Sequence, residues 1–364
     1  MIDIALKAVR DLEKKGASEA ESFIQNSTER IISVKGDNWS KRKKKDISIG
    51  LRTIINNKKG FAAGTIPLCS LEDIENASFT LCRSASPDPV WKHLPYKKIL
   101  TTPVGIYDED LANMSDTDLL DAVNELVLAA DTLKFSPECT IITRVEETAI
   151  ANSHNVEEFS ESTKVDINFS CTYRENNIVI DYHSRNFPSC LGSLVDDIAE
   201  KALKHEKFSK IQKSFTGDAL FMPEALEYSI IACIEWAVNG ENFNSGRSQF
   251  TKMQEKVASN QLTITDNGLL PHGIRSQPFD GEGNPMQETF LIEKGVLINV
   301  LHTEYTGSKY GVLSTGNALR SATREPSLDS TNFIVGPGTH SADALIEEMD
   351  KGVLLKDFTG EVDS

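Results

Sequence analysis

The sequence predicts an α+β protein in which two units of helix plus antiparallel sheet precede a larger β-rich C-terminal domain. Three observations predict it. Amphipathic helical spacing is confined to short segments that bracket each unit. Runs of β-branched and aromatic residues, separated by polar turns, fill the stretches between them. Prolines gather between the first two units instead of inside them. A chain of 364 residues exceeds what a single core usually organises. The division read from these signals is a first unit at 1–85, a linker at 86–110, a second unit at 111–210 and a third at 217–364.

The first unit opens with Ile2, Ala5, Leu6, Val9 and Leu12 at helical spacing, and Gly16 ends that helix. Residues 19–27 and 30–35 read as two strands. The basic block Lys41-Arg42-Lys43-Lys44-Lys45 reads as a solvated loop, since no aromatic residue is interleaved within it as nucleic-acid stacking would need. Residues 46–55 form a strand with Ile47, Ile49 and Leu51 on one face. Asn56 to Gly60 is a turn, Phe61 begins the return strand, and 70–84 is helical. Pro87, Pro89, Pro95 and Pro103 mark the linker.

In the second unit Ser115 caps a helix with Asp118 at its third position, and Leu119, Leu120, Val123, Leu126 and Val127 form the apolar face. Strands fill 139–190, including 165–173 and 177–182, and 192–208 returns to helix. The repeated order suggests a duplication, although no residue-level repeat accompanies it. The third unit begins with a strand at 218–222. Pro223 fits a first helical turn, and 224–239 is so rich in apolar residues that the helix is expected to be buried on nearly all sides, with Cys233 an inert core thiol. Strands follow at 261–265, 288–292, 296–301, 332–335 and 353–358, with a helix at 342–349.

Charge narrows the function classes. Acidic residues outnumber basic ones 54 to 38, and the net charge of -16 repels phosphate backbones, which argues against a general nucleic-acid binder. No two of the six cysteines have CxxC spacing, so neither a zinc knuckle nor a thioredoxin-like pair is present; scattered thiols suit a reducing compartment. Charges interrupt the first residues at once, and no apolar run approaches the ~18 residues of a spanning helix. A cytoplasmic location is the expectation.

The chemistry-bearing segments lie late in the chain. Asn267-Gly268-Leu269-Leu270-Pro271-His272-Gly273 leads into Ser276-Gln277-Pro278-Phe279-Asp280-Gly281-Glu282-Gly283, then a hairpin, then Ser314-Thr315-Gly316-Asn317 and Thr331-Asn332-Phe333. This order resembles the C-terminal domain of the TldD/PmbA family, and Gly50-Leu51-Arg52 with Gly60-Phe61-Ala62-Ala63-Gly64-Thr65 resembles its N-terminal sheet. The resemblance implies a dimeric protein acting on peptides. In that family the TldD type carries a His-Glu-x-x-x-His zinc motif on the first helix of the third domain, whereas the PmbA (TldE) type lacks it and pairs with the first. The matching helix here places Ile234 and Asn239 at the histidine positions, and Glu235 alone retains the motif residue. The resemblance therefore implies no zinc or other cofactor of its own. It also implies a partner that is a TldD-like zinc-bearing paralogue or a second copy of this chain, and further strands beyond Ser364.

Two readings stay open at each remaining position. Asp280 and Glu282 could hold a cation or do acid/base work, or could bond backbone amides in a tight turn. Thr315 and Asn317 could belong to a nest of amides at a peptide, or to a plain turn. Arg320 and Arg324 could meet a peptide carboxylate or balance an acidic surface. His205-Glu206 is the only His-Glu pair in the chain, and it reads as a solvated helix end. The functional expectation is a non-catalytic subunit of a peptide-cleaving complex. Its alternative is a homodimeric regulatory or peptide-binding protein, in keeping with the family's older designation as a modulator of DNA gyrase. An independent hydrolase is disfavoured because no Gly-x-Ser-x-Gly elbow or Cys/His pairing is apparent.

Overall fold

The structure, a computed structural model, describes the chain except residues 134, 174–175, 205–212 and 357–364. It divides into two compact units. The first comprises residues 1–208, 268–286 and 320–326; the second comprises 209–267, 287–319 and 327–364. Two segments that the sequence places in the C-terminal domain thus fold with the N-terminal one.

In the first unit the elements are α1 (Ile2–Lys14), β1 (Glu19–Lys35), β2 (Asn38–Ile55), β3 (Lys58–Ile66), α2 (Leu71–Ser84), α3 (Glu109–Asn113), α4 (Asp116–Thr132), β4 (Ser136–Asn152), β5 (Glu157–Tyr173), β6 (Asn176–Ser184) and α5 (Gly192–Lys204). The strands expected in two separate units form one antiparallel sheet ordered β3-β2-β1-β4-β5-β6, joined where β1 pairs with β4 from Glu21↔Asn152 to Lys35↔Glu138. Strand β1 runs unbroken through Thr28-Glu29, where the sequence suggests a gap. Pairing with β2 on one side and β4 on the other satisfies the backbone there, so polar side chains are tolerated. The Asn56-Asn57 turn has both residues at positive φ, 52° and 61°, as a two-residue hairpin requires.

Alternation divides the sheet faces. Even-numbered residues of β1 face the helices. At one end Ala5, Ala8, Val9 and Leu12 of α1 pack on Ala20, Ile24, Ile49 and Leu51; at the other Leu119, Val123 and Leu126 of α4 join Ile32, Val34, Ile141 and Phe169. Ser115 and Asp118 make the expected capping box at α4, and Ser70 and Asp73 make another at α2. The opposite face carries the odd-numbered residues, and segments 268–286 and 320–326 cover its middle, with Phe279 and Ala322 against Phe23, Ile150 and Val156. The linker is not free chain: Trp91, Leu94 and Ile106 are buried, and Trp91 Nε1 donates to Glu19 at 3.0 Å.

The second unit contains β7 (Asp218–Phe221), α6 (Pro223–Leu226), a π-helical turn (Glu227–Ile231), α7 (Ala232–Ala237), α8 (Gly240–Asn244), β8 (Ile264–Asn267), β9 (Glu288–Glu293), β10 (Val296–Leu297), α9 (Glu304–Tyr310), β11 (Ala318–Leu319), β12 (Ser327–Leu328), β13 (Phe333–Val335), α10 (Ala342–Glu348) and β14 (Gly352–Leu355). A four-stranded sheet runs β10-β9-β8-β13, and β14 pairs in parallel with β7. Val238, Ile264, Leu291, Ile292, Leu297 and Leu301 form its core. The expected single helix over 224–239 is broken by the π turn, and it is not buried nearly all round. Ile230 is 44 % exposed, and Cys233, Ile234 and Trp236 are only partly covered. A π turn rotates the residues after it relative to an unbroken α-helix, so the apolar positions do not converge on one buried face. The expected helix at 192–208 and strand at 353–358 each run into residues outside those described, as does the His205-Glu206 pair.

Candidate functional site

In the second unit α7 ends beside a cleft of about 210 Å³ lined by Glu235, Trp236, Asn239, Asn242, Leu301, Leu328, Asp329 and Ser330. Three residues of the aligned motif occupy three different environments. Ile234 packs on the core cluster. Glu235 reaches the cleft, where its Oε1 accepts from Ser330 Oγ at 2.6 Å. Asn239 caps α8, its Oδ1 accepting from the backbone N–H groups of Glu241 and Asn242 at 3.0 and 3.2 Å. Short polar side chains are favoured at a helix N-cap because they satisfy otherwise orphaned amides.

Zinc is the metal the family implies, and these residues do not fit it. A zinc site takes three or four nitrogen, sulfur or carboxylate donors. Here an alkyl group and a capping amide stand at two ligand positions, and the carboxylate between them already accepts a hydroxyl. Among the described residues no group of three or more His, Cys, Asp or Glu side chains could hold a metal ion.

Behind the cleft lies a buried polar network. Asp266, at the end of β8, is 1 % exposed. Its carboxylate accepts from Asn317 Nδ2 at 2.7 Å, Thr331 N at 2.6 Å and Thr331 Oγ1 at 2.8 Å. Burial nevertheless pushes its pKa above the ordinary aspartate value, and the nearby Glu235 carboxylate acts in the same direction. Thr315 Oγ1 donates to Asn317 Oδ1 at 2.6 Å, and Asn317 Nδ2 also reaches the Asp329 carbonyl at 3.2 Å. Thr315 and Asn317 thus brace the loop that carries Asp329 and Ser330; Asn317 is fully buried. His302 is 4 % exposed, and burial, opposed by Glu241, lowers its pKa to about 4. The imidazole is neutral and packed against Gly240, where an added Cβ would lie 2.3 Å from the ring.

The other sequence candidates lie in the first unit. Asp280 makes the tight-turn contacts, accepting from the backbone N–H groups of Glu282 and Asn284 at 2.9 Å each. Glu282 and Arg320 belong to a buried ionic quartet with Glu21 and Arg52. Arg52 faces Glu21 in β-register, binds it through Nε at 2.9 Å and through Nη2, and reaches Glu282 at 3.1 Å. Arg320 Nη1 donates to Glu21 at 2.6 Å, and its guanidinium lies 4.6 Å from the Phe23 ring. The side chains of all four are at most 3 % exposed. Two carboxylates hold the Arg52 pKa above its ordinary value despite burial; burial and the Arg52 charge lower that of Arg320. Asp280, Glu282 and Arg320 therefore support the covering segments of the first unit instead of lining an open surface.

Asp266, Glu21, Arg52 and His302 were not singled out from the sequence as site residues. The available signal was a charged residue inside an apolar strand: Glu21 before Phe23 and Ile24, Arg52 after Leu51, and Asp266 after Ile264.

Comparison with known proteins bears on the family and the fold. Residues 215–364 match the family described as the PmbA/TldA metallopeptidase C-terminal domain. An uncharacterised protein of Methanocaldococcus jannaschii is 28 % identical over 81 % of this chain and 69 % of its own length. A metalloprotease of Methanothermobacter thermautotrophicus is 34 % identical over 39 % of this chain but only 29 % of its own length. A metalloprotease PmbA homologue of Buchnera aphidicola is 23 % identical over 58 % of this chain and 46 % of its own. The fold matches the crystal structure of TldE from Thermococcus kodakarensis with a TM-score of 0.85 at 21 % identity, covering 98 % of this chain and 83 % of that one. A Thermotoga maritima protein described as a candidate modulator of a DNA gyrase matches with a TM-score of 0.81 at 19 % identity, over 98 % and 82 % of the two chains. Motif order, α+β architecture and these matches agree: residues 215–364 are a C-terminal domain of the TldD/PmbA family, and the chain as a whole has the fold of the solved TldE structure.

Proposed function

We propose that this chain is a PmbA/TldE-like subunit that contributes no catalytic zinc and works on peptides by pairing with a zinc-bearing paralogue of the TldD type. One observation carries the reading. At the helix where the family's metal motif belongs, Ile234 is packed on the core and Asn239 caps α8, so restoring two imidazoles would disturb both the core and the next helix. Glu235 keeps the position that activates water in a zinc peptidase, but it has no metal donor on either side. The cleft beside it, lined by Trp236 and Ser330, is the surface that this reading assigns to an extended peptide. No helix of the described residues is long and apolar enough to cross a membrane.

The test is reconstitution. This chain, a zinc-bearing paralogue from the same host and their mixture are assayed for zinc content, association and hydrolysis of unstructured peptides. Association with the paralogue, and cleavage dependent on the paralogue's zinc, are the expected results. Hydrolysis by this chain alone with added zinc, abolished by Glu235→Gln, would overturn the reading. A stable homodimer that binds peptide and ignores the paralogue would replace it with the regulatory alternative.

A further inference from the structure

Strand β2 is longer than the strand that covers its outer side. Strand β3 pairs with it only from Ile47↔Ile66 to Ile55↔Lys58. Residues 38–46 pair with β1 alone, from Lys35↔Asn38 to Ser27↔Asp46. Among the described residues nothing pairs with their outer side, and 38–45 are exposed throughout. In an antiparallel strand every second residue turns its N–H and C=O away from the neighbour, so this edge offers a row of backbone donors and acceptors. The basic block lies within it. The sequence reading of a solvated loop is corrected here: the block is solvated, but it is strand, held in register by β1.

Alternation distributes the cations over both faces. Lys41, Lys43 and Lys45 share the face of Ile32, and Arg42 and Lys44 share the opposite one. Only part of this charge is balanced internally. Lys41 pairs with Asp116 and Lys44 with Asp46, both at 2.5 Å. Among the described residues Arg42, Lys43 and Lys45 make no ion pair. Trp39, 44 % exposed, adds a bare aromatic surface at the same edge.

We propose that residues 38–45 dock an acidic polypeptide segment of a partner protein, which adds to β2 in extended conformation as a further strand. Backbone hydrogen bonds along the edge supply part of the affinity, and the charges select the sequence. With cations on both faces, the preferred segment carries glutamate or aspartate at successive positions, not only at alternate ones. A second copy of this edge is the wrong occupant, because cation would face cation across the new pairing. Nucleic acid is also disfavoured, since the net charge of -16 opposes a long polyanion whereas a short acidic segment meets only the local field.

The probe is a labelled peptide with runs of successive glutamates separated by threonine and valine, titrated into the full chain by fluorescence anisotropy. Three controls accompany it: a glutamine counterpart, the same acidic peptide N-methylated at alternate residues, and a single-stranded oligonucleotide. The expected result is saturable binding that weakens at least tenfold in 0.5 M salt, in the glutamine peptide, in the N-methylated peptide and in the Arg42→Glu/Lys44→Glu variant. That variant is checked for an unchanged melting temperature, which exposed positions should preserve. Equal binding of the N-methylated peptide would show simple ion pairing and overturn strand addition. Tighter binding of the oligonucleotide would overturn the choice of partner. Absence of binding to any probe would show that the lysines serve only to keep the edge from self-pairing, which also overturns the proposal.

Discussion

Arg320 and Glu21 meet at 2.6 Å across 299 positions of sequence, with neither side chain reaching solvent. The contact ties the returning segment 320–326 to the odd-numbered face of β1, and Arg52 holds the same carboxylate from β2. Glu21 is therefore the shared acceptor of two guanidinium groups. Removing it leaves both cations buried with Glu282 as the remaining carboxylate of the quartet. Glu21→Ala is expected to destabilise the fold by about 3–5 kcal/mol, the usual result of breaking a buried pair from one side. Arg320→Met should cost less, because Glu21 keeps Arg52 and the alkyl chain stays against Phe23. Urea unfolding of the two variants checks the order; a Glu21→Ala loss below that of Arg320→Met would contradict the hub assignment.

Gly60 makes a second contact that no larger residue can keep. A Cβ there would lie 2.2 Å from the Ser78 carbonyl oxygen and 2.3 Å from the Cys82 amide nitrogen, both backbone atoms of α2. Ser78 Oγ also donates to the Gly60 carbonyl at 3.2 Å, so helix and strand are in direct contact. Gly60→Ala must push α2 away from β3, and a loss of about 2–4 kcal/mol is expected from overpacking together with lost contacts. Gly36→Ala is the control, because an added Cβ there meets nothing within 4 Å, although its φ of 55° makes a smaller strain cost of about 1 kcal/mol the expected result. Thermal melts showing equal losses would mean that α2 adjusts freely.

Local signals in the sequence located most of the secondary structure. Ser115 and Asp118 marked the start of α4, and the polar Asn56-Asn57 marked a hairpin, because each acts through backbone groups a few residues away. What the sequence could not show was decided at long range. The joining of two expected sheets depends on the β1–β4 register, set by residues more than a hundred positions apart. The same holds for Glu282 and Arg320. Their residue types left a ligand contact and a structural role both open, and partners in β1 and β2 absorb their charge. At the cleft, the motif alignment located Glu235, whereas Ser330 and Asp266 come from a loop and a strand that no periodicity links to α7.

His302 gives the second unit a pH dependence whose sign follows from burial. Its folded pKa lies near 4, below the ordinary histidine value of 6.5. Above 6.5 both folded and unfolded forms are neutral, and this residue contributes no dependence. Between 6.5 and 4 the unfolded chain takes up a proton that the folded chain refuses, so stability falls as the pH is lowered through that window. The full loss is on the order of 3 kcal/mol for a shift of this size. His302→Gln should flatten the decline between pH 6.5 and 4.5 relative to the parent in urea unfolding. A parallel decline in the two proteins would show that other groups, not His302, cause it.

The double variant Ile234→His/Asn239→His tests whether the metal site is lost or merely lacks its ligands. At position 234 an imidazole replaces a side chain packed on the core of the second unit, at a cost of about 1–3 kcal/mol for lost apolar contact and unsatisfied nitrogens. At position 239 it removes the oxygen that accepts from Glu241 and Asn242, and loss of such a cap costs about 0.5–2 kcal/mol. The two changes flank Trp236, Ala237 and Val238 in the same short stretch, so their effects need not add. A zinc site would further need Glu235 released from Ser330 and partners to orient both rings. The expected outcome is a lower melting temperature, zinc affinity no tighter than micromolar and no peptide hydrolysis. If zinc instead restores the melting temperature and the variant cleaves peptides, the surrounding scaffold still holds a working peptidase geometry, and the proposal of a subunit without catalytic zinc chemistry fails at its central observation.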